Sequence, residues 1–432
     1  MCCIFTATAL IASICGVNAP AAFVGAGLGT IIYQFITKFE SPMFLSNSGA
    51  YVAPVLMALQ TGGYAAVAIG GLTSCIVYCL FGLIFSKISV DNIYKVFPKS
   101  IIGTVTCLIG LNLMTFIPTY IGDTGNAGIF VALFTMLVTV LARQYITKGS
   151  LSMFPFLIGL LSGYAVAIPF GFVDFSIFDG IGLFCMPTFA FTLWKPITVA
   201  IILPIVIIFT GYTITAMMEC LADHGSLSNI IFKDLYRKPG LSRIFIGEGF
   251  ANLVSTCFGG LGSCSYGEGV GCVGFSKCAS TQVTVGTALL LILLGFIAPV
   301  QAFIASIPSV VFAGTALVLY GFIFSSGIRC LQDSISVNFN NSKTMSIISV
   351  VASIGSGGIA FSLLLGDTTF SFGGLALSLV VGVIMNLILK DKKNKDTDTD
   401  IKKLEEFDSV IDKESGTIIE AEDGTKIEFV EY

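Results

Sequence analysis

The feature that most constrains this chain is a succession of apolar segments, each of about the length needed to cross a bilayer. A spanning helix needs about 20 mostly apolar residues, and residues 1–390 divide into roughly fourteen such segments. They centre near Ala9, Gly29, Val55, Ile76, Ile109, Leu133, Leu160, Ile207, Ala251, Gly271, Leu291, Val318, Ser353 and Leu379. Those near Val55 and Gly271 are short and rich in serine and glycine. The sequence therefore predicts an all-α polytopic membrane protein.

The composition excludes several classes of protein. Hydrophobic residues make up 55% of the chain and charged residues 11%, whereas a soluble domain carries about 25% charged residues. A soluble enzyme and a disordered scaffold are therefore excluded. The 13 cysteines show no CxxC spacing, and the single histidine, His224, argues against a histidine-built metal site. We expect no metal, no cofactor and no nucleic-acid partner.

The charges between segments predict the orientation. Of the 15 lysines and arginines in residues 1–390, only Lys195 follows an odd-numbered segment. Cytoplasmic loops carry the excess of Lys and Arg, so the even-numbered loops and both termini should be cytoplasmic. Trp194, beside Lys195, suits an anchor at the outer interface. We expect a multi-pass protein of the plasma membrane, with residues 1–390 as its transmembrane domain.

Residues 391–432 differ from the rest and form a charged cytoplasmic tail. They hold 7 Lys and 14 acidic residues, a net charge of 7 − 14 = −7, which leaves 15 − 12 = +3 for residues 1–390. Asp391–Asp400 has the composition of a solvated linker. Thr417–Val430 alternates around Asp423-Gly424 and predicts a small hairpin. A plain solvated extension is the favoured interpretation, and a regulatory or partner-binding role stays open.

The first apolar run is short for a spanning helix. It covers the 15 residues from Cys2 to Gly16, about 23 Å at 1.5 Å per residue. No charged region and cleavage site of a signal peptide accompany it. We therefore expect residues upstream of Met1 to complete the first helix.

A few ionisable residues lie within the apolar segments, where they are costly and usually functional. Glu219 ends the apolar run of the eighth segment, and Asp223 follows one helical turn later on the same face. Glu268 lies in the serine- and glycine-rich tenth segment, and Glu248 lies near the charged start of the ninth. A functional role is favoured for Glu219 and Glu268. For Asp223 and Glu248 a structural role is equally open.

The two weak segments resemble each other. Ser46–Tyr51 (SNSGAY) precedes an apolar half-segment in the third, and Ser263–Glu268 (SCSYGE) precedes one in the tenth. An odd number of segments separates them, which is the pattern of inverted repeats with broken helices at a midplane site. The free amides of half-helix N-termini then point at a ligand. Chance recurrence in a glycine-rich chain is the alternative.

Four stretches carry a resemblance to a known family. They are FLSNSGAYVAP (44–54), KDLYRKPGLSR (233–243), SYGEGVG (265–271) and LYGFIFSSGIR (319–329). With them, the sequence from about Ala7 to Lys390 resembles the nucleobase–cation symporter-2 family of uracil/xanthine permeases. The resemblance implies fourteen spans in two inverted repeats of seven, with a short strand and a half-helix in spans three and ten. It also implies a core domain of spans 1–4 and 8–11 and a gate domain of spans 5–7 and 12–14.

The resemblance also implies roles for individual residues. Glu219 matches the carboxylate on the eighth span that binds substrate and takes part in proton coupling. Glu268 matches the carboxylate on the tenth span that hydrogen-bonds the base, and Gly267 matches the adjacent backbone donor. Gly49 falls where uracil permeases have a phenylalanine whose backbone amide contacts the ligand.

Two tyrosines match aromatic positions of the family, and other residues depart from the family pattern. Tyr51 occupies a second aromatic position, and Tyr320 matches a tyrosine of the gate domain that lines the site. Asp223 stands where uracil permeases have His and purine permeases have Asp, whereas Glu268 is the uracil-type residue. The missing phenylalanine side chain at Gly49 predicts a larger pocket. These mixed features leave uracil and xanthine both open as substrates.

The implied activity is proton-coupled import of a nucleobase, uracil first and xanthine or a related purine as the alternative. Carboxylates accept the ring N–H groups of a base, and the amides of Gly49 and Gly267 donate to its carbonyls. Burial disfavours an ionised carboxylate, so we assign proton coupling to Glu219, with Asp223 as the next candidate. The expected partners are the base, protons and the bilayer, and the family favours a homodimer.

Two other classes of protein compete with this interpretation. An anion transporter of the same fold needs a neutral or basic site between the half-helices, and Glu268 argues against that. A membrane enzyme needs a nucleophile with a base or a metal cluster, and the sequence supplies neither, so we expect no enzyme activity.

Overall fold

The structure is a computed structural model, and it consists of long helices around one short central sheet. It describes residues 2–87, 98–146, 154–332, 337, 339, 341–357, 361–365, 368–372, 374–389, 419–420 and 426–427. The helices are α1 (Cys2–Ile14), α2 (Ala19–Ile36), α3 (Val52–Phe85), α4 (Lys99–Met114), α5 (Ile117–Ile121), α6 (Gly125–Tyr145), α7 (Pro155–Ala167), α8 (Val199–Ile231), α9 (Leu241–Phe258), α10 (Gly267–Ser276), α11 (Thr281–Phe296), α12 (Ala298–Ser306), α13 (Ser309–Gln332), α14 (Ser342–Ser356) and α15 (Gly374–Ile388). Every predicted segment centre lies within one of these helices.

Six stretches of the described chain are long and apolar enough to cross a membrane, judged by length and composition. They are α2, the turn Gly49–Tyr51 with α3, α4 with α5, α6, α8 and α13. Helices α7 and α11, and α15 from Leu377 onward, are apolar but shorter. The protein is therefore a mostly helical, multi-pass membrane protein, and the prediction of this class is confirmed.

The third and fourth predicted segments are joined in one element, α3, which is 34 residues long. Gly63 interrupts the helix with φ 63° and ψ −155°, a conformation that glycine adopts without the steric cost of a Cβ. The predicted centres, Val55 and Ile76, lie on either side of it. A glycine, rather than a polar loop, thus separates the first half-helix from the long helix that follows.

The helices pack in two groups. Helices α2, α3, α8, α9 and α11 contact one another, and α4, α6, α7, α13, α14 and α15 contact one another. Small residues let the axes of the first group approach closely. A Cβ at Gly25 would lie 2.8 Å from the Ser255 carbonyl oxygen, and one at Gly29 would lie 2.9 Å from that of Ala251. Helix α8 also contacts α4 and α15, so it lies where the two groups meet.

A two-stranded antiparallel sheet joins the serine-rich parts of the two weak segments. Strand β1 (Leu45–Asn47) pairs with β2 (Ser263–Ser265), with Ser46 opposite Cys264. The Ser48 amide extends the pairing by donating to the Gly262 carbonyl oxygen at 3.0 Å. Each strand leads directly into a helix start, β1 into the turn Gly49–Tyr51 and α3, and β2 into α10. The strand and half-helix predicted for each segment are both present.

Two further hairpins lie near the end of the chain. Strands β3 (Phe361–Leu365) and β4 (Thr368–Phe372) pair between α14 and α15, where the sequence led us to predict no strands. In the tail, β5 (Ile419–Glu420) pairs with β6 (Lys426–Ile427), within the predicted hairpin. The predicted turn at Asp423-Gly424 and the linker Asp391–Asp400 lie outside the described residues.

Candidate functional site

A cavity of about 1,000 Å³ lies where the small sheet, α8 and the second group of helices meet. One wall is polar and comes from the ends of both strands, both helix starts and the acidic face of α8. The lining residues from α4 and α13 are mainly apolar. The lining residues include Asn47, Ser48, Gly49, Leu113, Glu219, Asp223, Tyr266, Gly267, Tyr320 and Phe322.

Glu219 is tied to the start of the first half-helix by Ser48. The Ser48 hydroxyl donates to Glu219 Oε2 at 2.8 Å. Ser48 Oγ also accepts from the amide of Ala50 at 3.1 Å, so Ser48 caps the turn Gly49–Tyr51. Ser48 is a site residue that the sequence-based prediction missed. Its position as an N-cap serine before a half-helix was the available signal.

Asp223 lines the same cavity one turn further along α8. Its carboxylate lies against the start of the second half-helix, because a Cβ built on Gly267 would be 3.1 Å from Asp223 Oδ1. Asp223 is 6% exposed. The two acidic residues that the sequence placed on one helix face therefore meet the two helix starts separately, Glu219 near Gly49 and Asp223 near Gly267.

Glu268 is the second residue of α10 and directly follows Gly267. Its backbone belongs to the first turn of that helix, and its side chain lies outside the described part of the structure. Tyr266, the N-cap residue of α10, is buried and lines the cavity. The amides that begin a helix have no intrahelical acceptor and favour a ligand oxygen. The assignment of Glu268 to base recognition stays a prediction.

The space beside Gly49 is filled, which corrects the expectation of a larger pocket. A Cβ built on Gly49 would lie 2.6 Å from Leu113 Cδ1 and 3.4 Å from Leu113 Cδ2. Leu113 belongs to the last turn of α4 and lines the cavity. The residue is distant in the sequence from both weak segments, so no local pattern could have placed it there.

The two predicted tyrosines lie in different places. Tyr320 on α13 lines the cavity and is buried, with its hydroxyl near that of Tyr120. The side chain of Tyr51 is fully buried behind the half-helix, away from the described cavity wall. Its hydroxyl donates to Thr213 Oγ1 at 3.2 Å, and its ring stacks on Phe209. Tyr51 thus anchors the half-helix against α8.

Glu248 supports the sheet from behind. Its Oε1 accepts from the amide of Ser265 at 3.0 Å, and the Cys264 thiol donates to its Oε2 at 3.7 Å. Glu248 is fully buried and does not lie on the described cavity wall. The carboxylate therefore holds β2 in place, which is the structural role that the sequence left open.

A buried cluster beside Glu248 has the spacing of a metal site. The ligand atoms of Cys220, His224 and Glu248 lie within 4.8 Å of one another. These atoms already have hydrogen-bond partners within the protein. His224 Nε2 lies 2.7 Å from the Tyr33 hydroxyl, and His224 Nδ1 lies 3.5 Å from the Cys220 sulfur. We assign the cluster to packing of α8 against α2 and α9.

Basic side chains also line the cavity. They come from the ends of α6 and α13 and from the connection after α8, and they are Arg143, Lys233, Arg237 and Arg329. The Arg143 guanidinium lies 3.5 Å from the centre of the Phe322 ring, a cation–π contact. Arg237 pairs with Asp234 at 3.2 Å. The cavity lining thus includes both acidic and basic side chains.

Two broken helices that meet at a sheet, with a cavity at their starts, define a multi-pass membrane transporter. A family profile described as "Permease family" matches residues 1–363. The chain belongs to this permease family and is a transporter, not an enzyme. The family membership predicted from the four sequence stretches is confirmed.

Curated relatives cover nearly the whole chain. A uracil permease of Bacillus caldolyticus is 34% identical over 390 residues, which are 89% of this chain and 89% of that protein. A uracil permease of Bacillus subtilis (strain 168) is 31% identical and covers 91% of this chain and 92% of its own length. A uracil permease of Escherichia coli (strain K12) is 32% identical, with coverage of 89% and 88%.

Solved structures share the fold at low sequence identity. The transmembrane domain of the cyanobacterial bicarbonate transporter BicA gives a TM-score of 0.58 at 17% identity, covering 89% of this chain and 94% of that one. The murine anion transporter Slc26a9, in its inward-facing state, gives a TM-score of 0.64 at 13% identity, covering 89% and 66%. These similarities establish the fold of the chain and do not identify its substrate.

Proposed function

We propose that this protein is a uracil permease that imports uracil across the plasma membrane together with protons. The observation that carries the proposal is the arrangement of Glu219 and Asp223. Both line one cavity, and each lies beside the start of a different half-helix, at Gly49 and Gly267. The curated relatives named uracil permeases, at 31–34% identity, support uracil as the substrate.

The chemistry of this arrangement suits a planar base. Uracil presents ring N–H groups between carbonyl oxygens, so its edge needs acceptors and donors in alternation. Glu219 and Glu268 supply acceptors, and the amides at Gly49 and Gly267 supply donors. Charge-assisted hydrogen bonds of this kind are shorter and stronger than neutral ones. Tyr320, from α13, closes the site over the base.

Proton coupling falls to the carboxylates of α8. A carboxylate away from bulk water favours its neutral form, and two such groups on one face do not both ionise easily. Glu219 and Asp223 satisfy both conditions, because they are one turn apart beside the cavity. We assign the coupled proton mainly to Glu219, with Asp223 as the next candidate.

The finer architecture is also part of the proposal. We infer fourteen spans in two inverted repeats, and the antiparallel pairing of β1 with β2, each before a half-helix, supports this. We infer a core domain and a gate domain, and the two packing groups of helices support that division. A homodimer follows from the family resemblance alone.

We infer that the cavity opens to the cytoplasm. The basic residues that line it lie at or after the ends of even-numbered segments, which the positive-inside rule places in the cytoplasm with both termini. The inward-facing state of the structurally similar Slc26a9 agrees with this orientation. Substrate would leave the site past Arg143 and Arg329.

Xanthine is the second candidate substrate. Asp223 favours it, because purine permeases of the resembled family have Asp at this position. An anion as substrate is disfavoured, because two carboxylates line the polar wall of the cavity.

The experiment is uptake of labelled uracil by purified protein in proteoliposomes with an inward proton gradient. Unlabelled xanthine, other bases, sulfate and bicarbonate serve as competitors. We expect uracil to accumulate, to be displaced best by uracil itself, and to stay unaffected by the two anions. Accumulation of an anion without uracil, or uracil uptake that is indifferent to the proton gradient, would overturn the proposal.

A further inference from the structure

We propose that Leu113 determines which bases the site accepts, by closing the side of the site next to Gly49. This inference rests on the proposed function and concerns the same cavity. Leu113 comes from the last turn of α4 and lines the cavity. Its Cδ1 lies 2.6 Å from the position that a Cβ of Gly49 would take. Leu113 therefore packs directly against Gly49, and only a glycine at position 49 leaves room for it.

The position of Leu113 is well supported by its neighbours. Leu113 is 4% exposed, although it lines the cavity, so most of its side chain is packed. The preceding residue, Asn112, donates its Nδ2 to the Leu108 carbonyl oxygen at 3.0 Å and to that of Gly355 at 3.3 Å. These bonds fix the last turn of α4 against α14. The side chain has little freedom to retreat from a larger ligand.

The overall size of the cavity does not select between bases, because about 1,000 Å³ holds a purine as easily as a pyrimidine. Selection has to come from contacts around the amides that orient the base. A base hydrogen-bonded near Gly49 meets Leu113 on the side where the Gly49 Cβ would be. A single six-membered ring fits there, whereas a fused second ring directed toward α4 collides with Leu113. Differences of one methylene in such a pocket change discrimination by about 10- to 200-fold.

The test is a graded series at this position, with uptake of labelled uracil and labelled xanthine measured in proteoliposomes. Leu113→Val and then Leu113→Ala should raise the ratio of xanthine uptake to uracil uptake stepwise, by at least about tenfold for Leu113→Ala. Leu111→Ala is the matched control. Leu111 lies on the same helix, two residues earlier, and is 43% exposed on the outside. It should leave the ratio at the wild-type value.

The reciprocal change tests the fit between the two residues. Gly49→Ala places a methyl group against Leu113 and should lower uracil uptake by about tenfold or more. The double variant Gly49→Ala with Leu113→Ala should recover most of that loss, because the second change removes the atoms that the new methyl group meets. Contacting residues show such non-additivity, whereas distant ones do not.

The outcomes separate this inference from the proposed function. A wild-type protein that takes up no uracil overturns the proposed function. Normal uracil uptake by the wild type overturns the role of Leu113 if the ratio is unchanged in both Leu113 variants, or if the double variant is no better than Gly49→Ala. Should Leu113→Ala fail to fold, Leu113→Val gives the same decision on a smaller scale.

Discussion

Substitution of Ser48 by alanine tests the link between the carboxylate and the half-helix. The hydroxyl makes two hydrogen bonds, as donor to Glu219 Oε2 at 2.8 Å and as acceptor from the Ala50 amide at 3.1 Å. Alanine keeps the backbone and loses both. The substitution therefore releases the carboxylate from its fixed orientation and uncaps the turn Gly49–Tyr51.

The two bonds differ in what their loss affects. Loss of an N-cap costs about 1 kcal/mol of stability, which should appear as a lower midpoint of thermal unfolding in detergent. Loss of the bond to Glu219 costs about 0.5–1.5 kcal/mol when the carboxyl group is neutral and about 1.5–3 kcal/mol when it is ionised. If about 1.4 kcal/mol of this reaches the bound state, the dissociation constant for uracil rises about tenfold.

Calorimetric titration of uracil against the purified protein measures this effect, with uptake measured beside it. Ser48→Thr keeps a hydroxyl and a cap and should bind close to the wild-type level. Ser46→Ala, two residues earlier on β1, is the control, because it removes a bond to Thr8 at 2.7 Å and leaves the bond between Ser48 and Glu219 in place. Wild-type affinity in Ser48→Ala would refute the reasoning that Ser48 orients the carboxylate.

Three further predictions concern single side chains. Glu219→Gln should keep part of the uracil binding, because the amide oxygen still accepts an N–H, and should abolish accumulation driven by a proton gradient. If accumulation persists and depends on pH, the coupled proton would have to be assigned to Asp223. Glu268→Gln should weaken uracil more than xanthine in a competition assay, since an amide both donates and accepts; equal loss for both bases would reject this role. Tyr51→Phe should lower stability by about 1 kcal/mol through the lost bond to Thr213 and should keep uracil affinity, whereas a large loss of affinity would return Tyr51 to the binding site.

The features that the sequence predicted well depend on local patterns. Apolar run lengths locate the helices, and the four-residue spacing of Glu219 and Asp223 places them on one face, where the structure has them. The repeated serine- and glycine-rich stretches located both strands and both helix starts. Such patterns are set by neighbours along the chain, so they can be read without knowledge of the packing.

The features that the sequence did not predict depend on contacts between distant segments. Leu113 reaches Gly49 from another helix, and Tyr51 turns away from the cavity because Thr213 and Phe209 lie behind it. Glu248 is held by the amide of Ser265, in the next element of the chain. The presence of a carboxylate in an apolar segment is visible in the sequence, but whether it meets a ligand or the backbone is decided by packing.

The pairing of β1 with β2 has a mechanical consequence for the site. Gly49 and Gly267 begin helices from opposite halves of the chain, yet backbone hydrogen bonds between Leu45–Asn47 and Ser263–Ser265 fasten the two starts together. Pulling them apart would leave several buried amides and carbonyls without partners, each at a cost of about 1–3 kcal/mol. The two half-helices therefore behave as one rigid cradle. Any rearrangement that opens the site therefore has to keep Gly49 and Gly267 side by side.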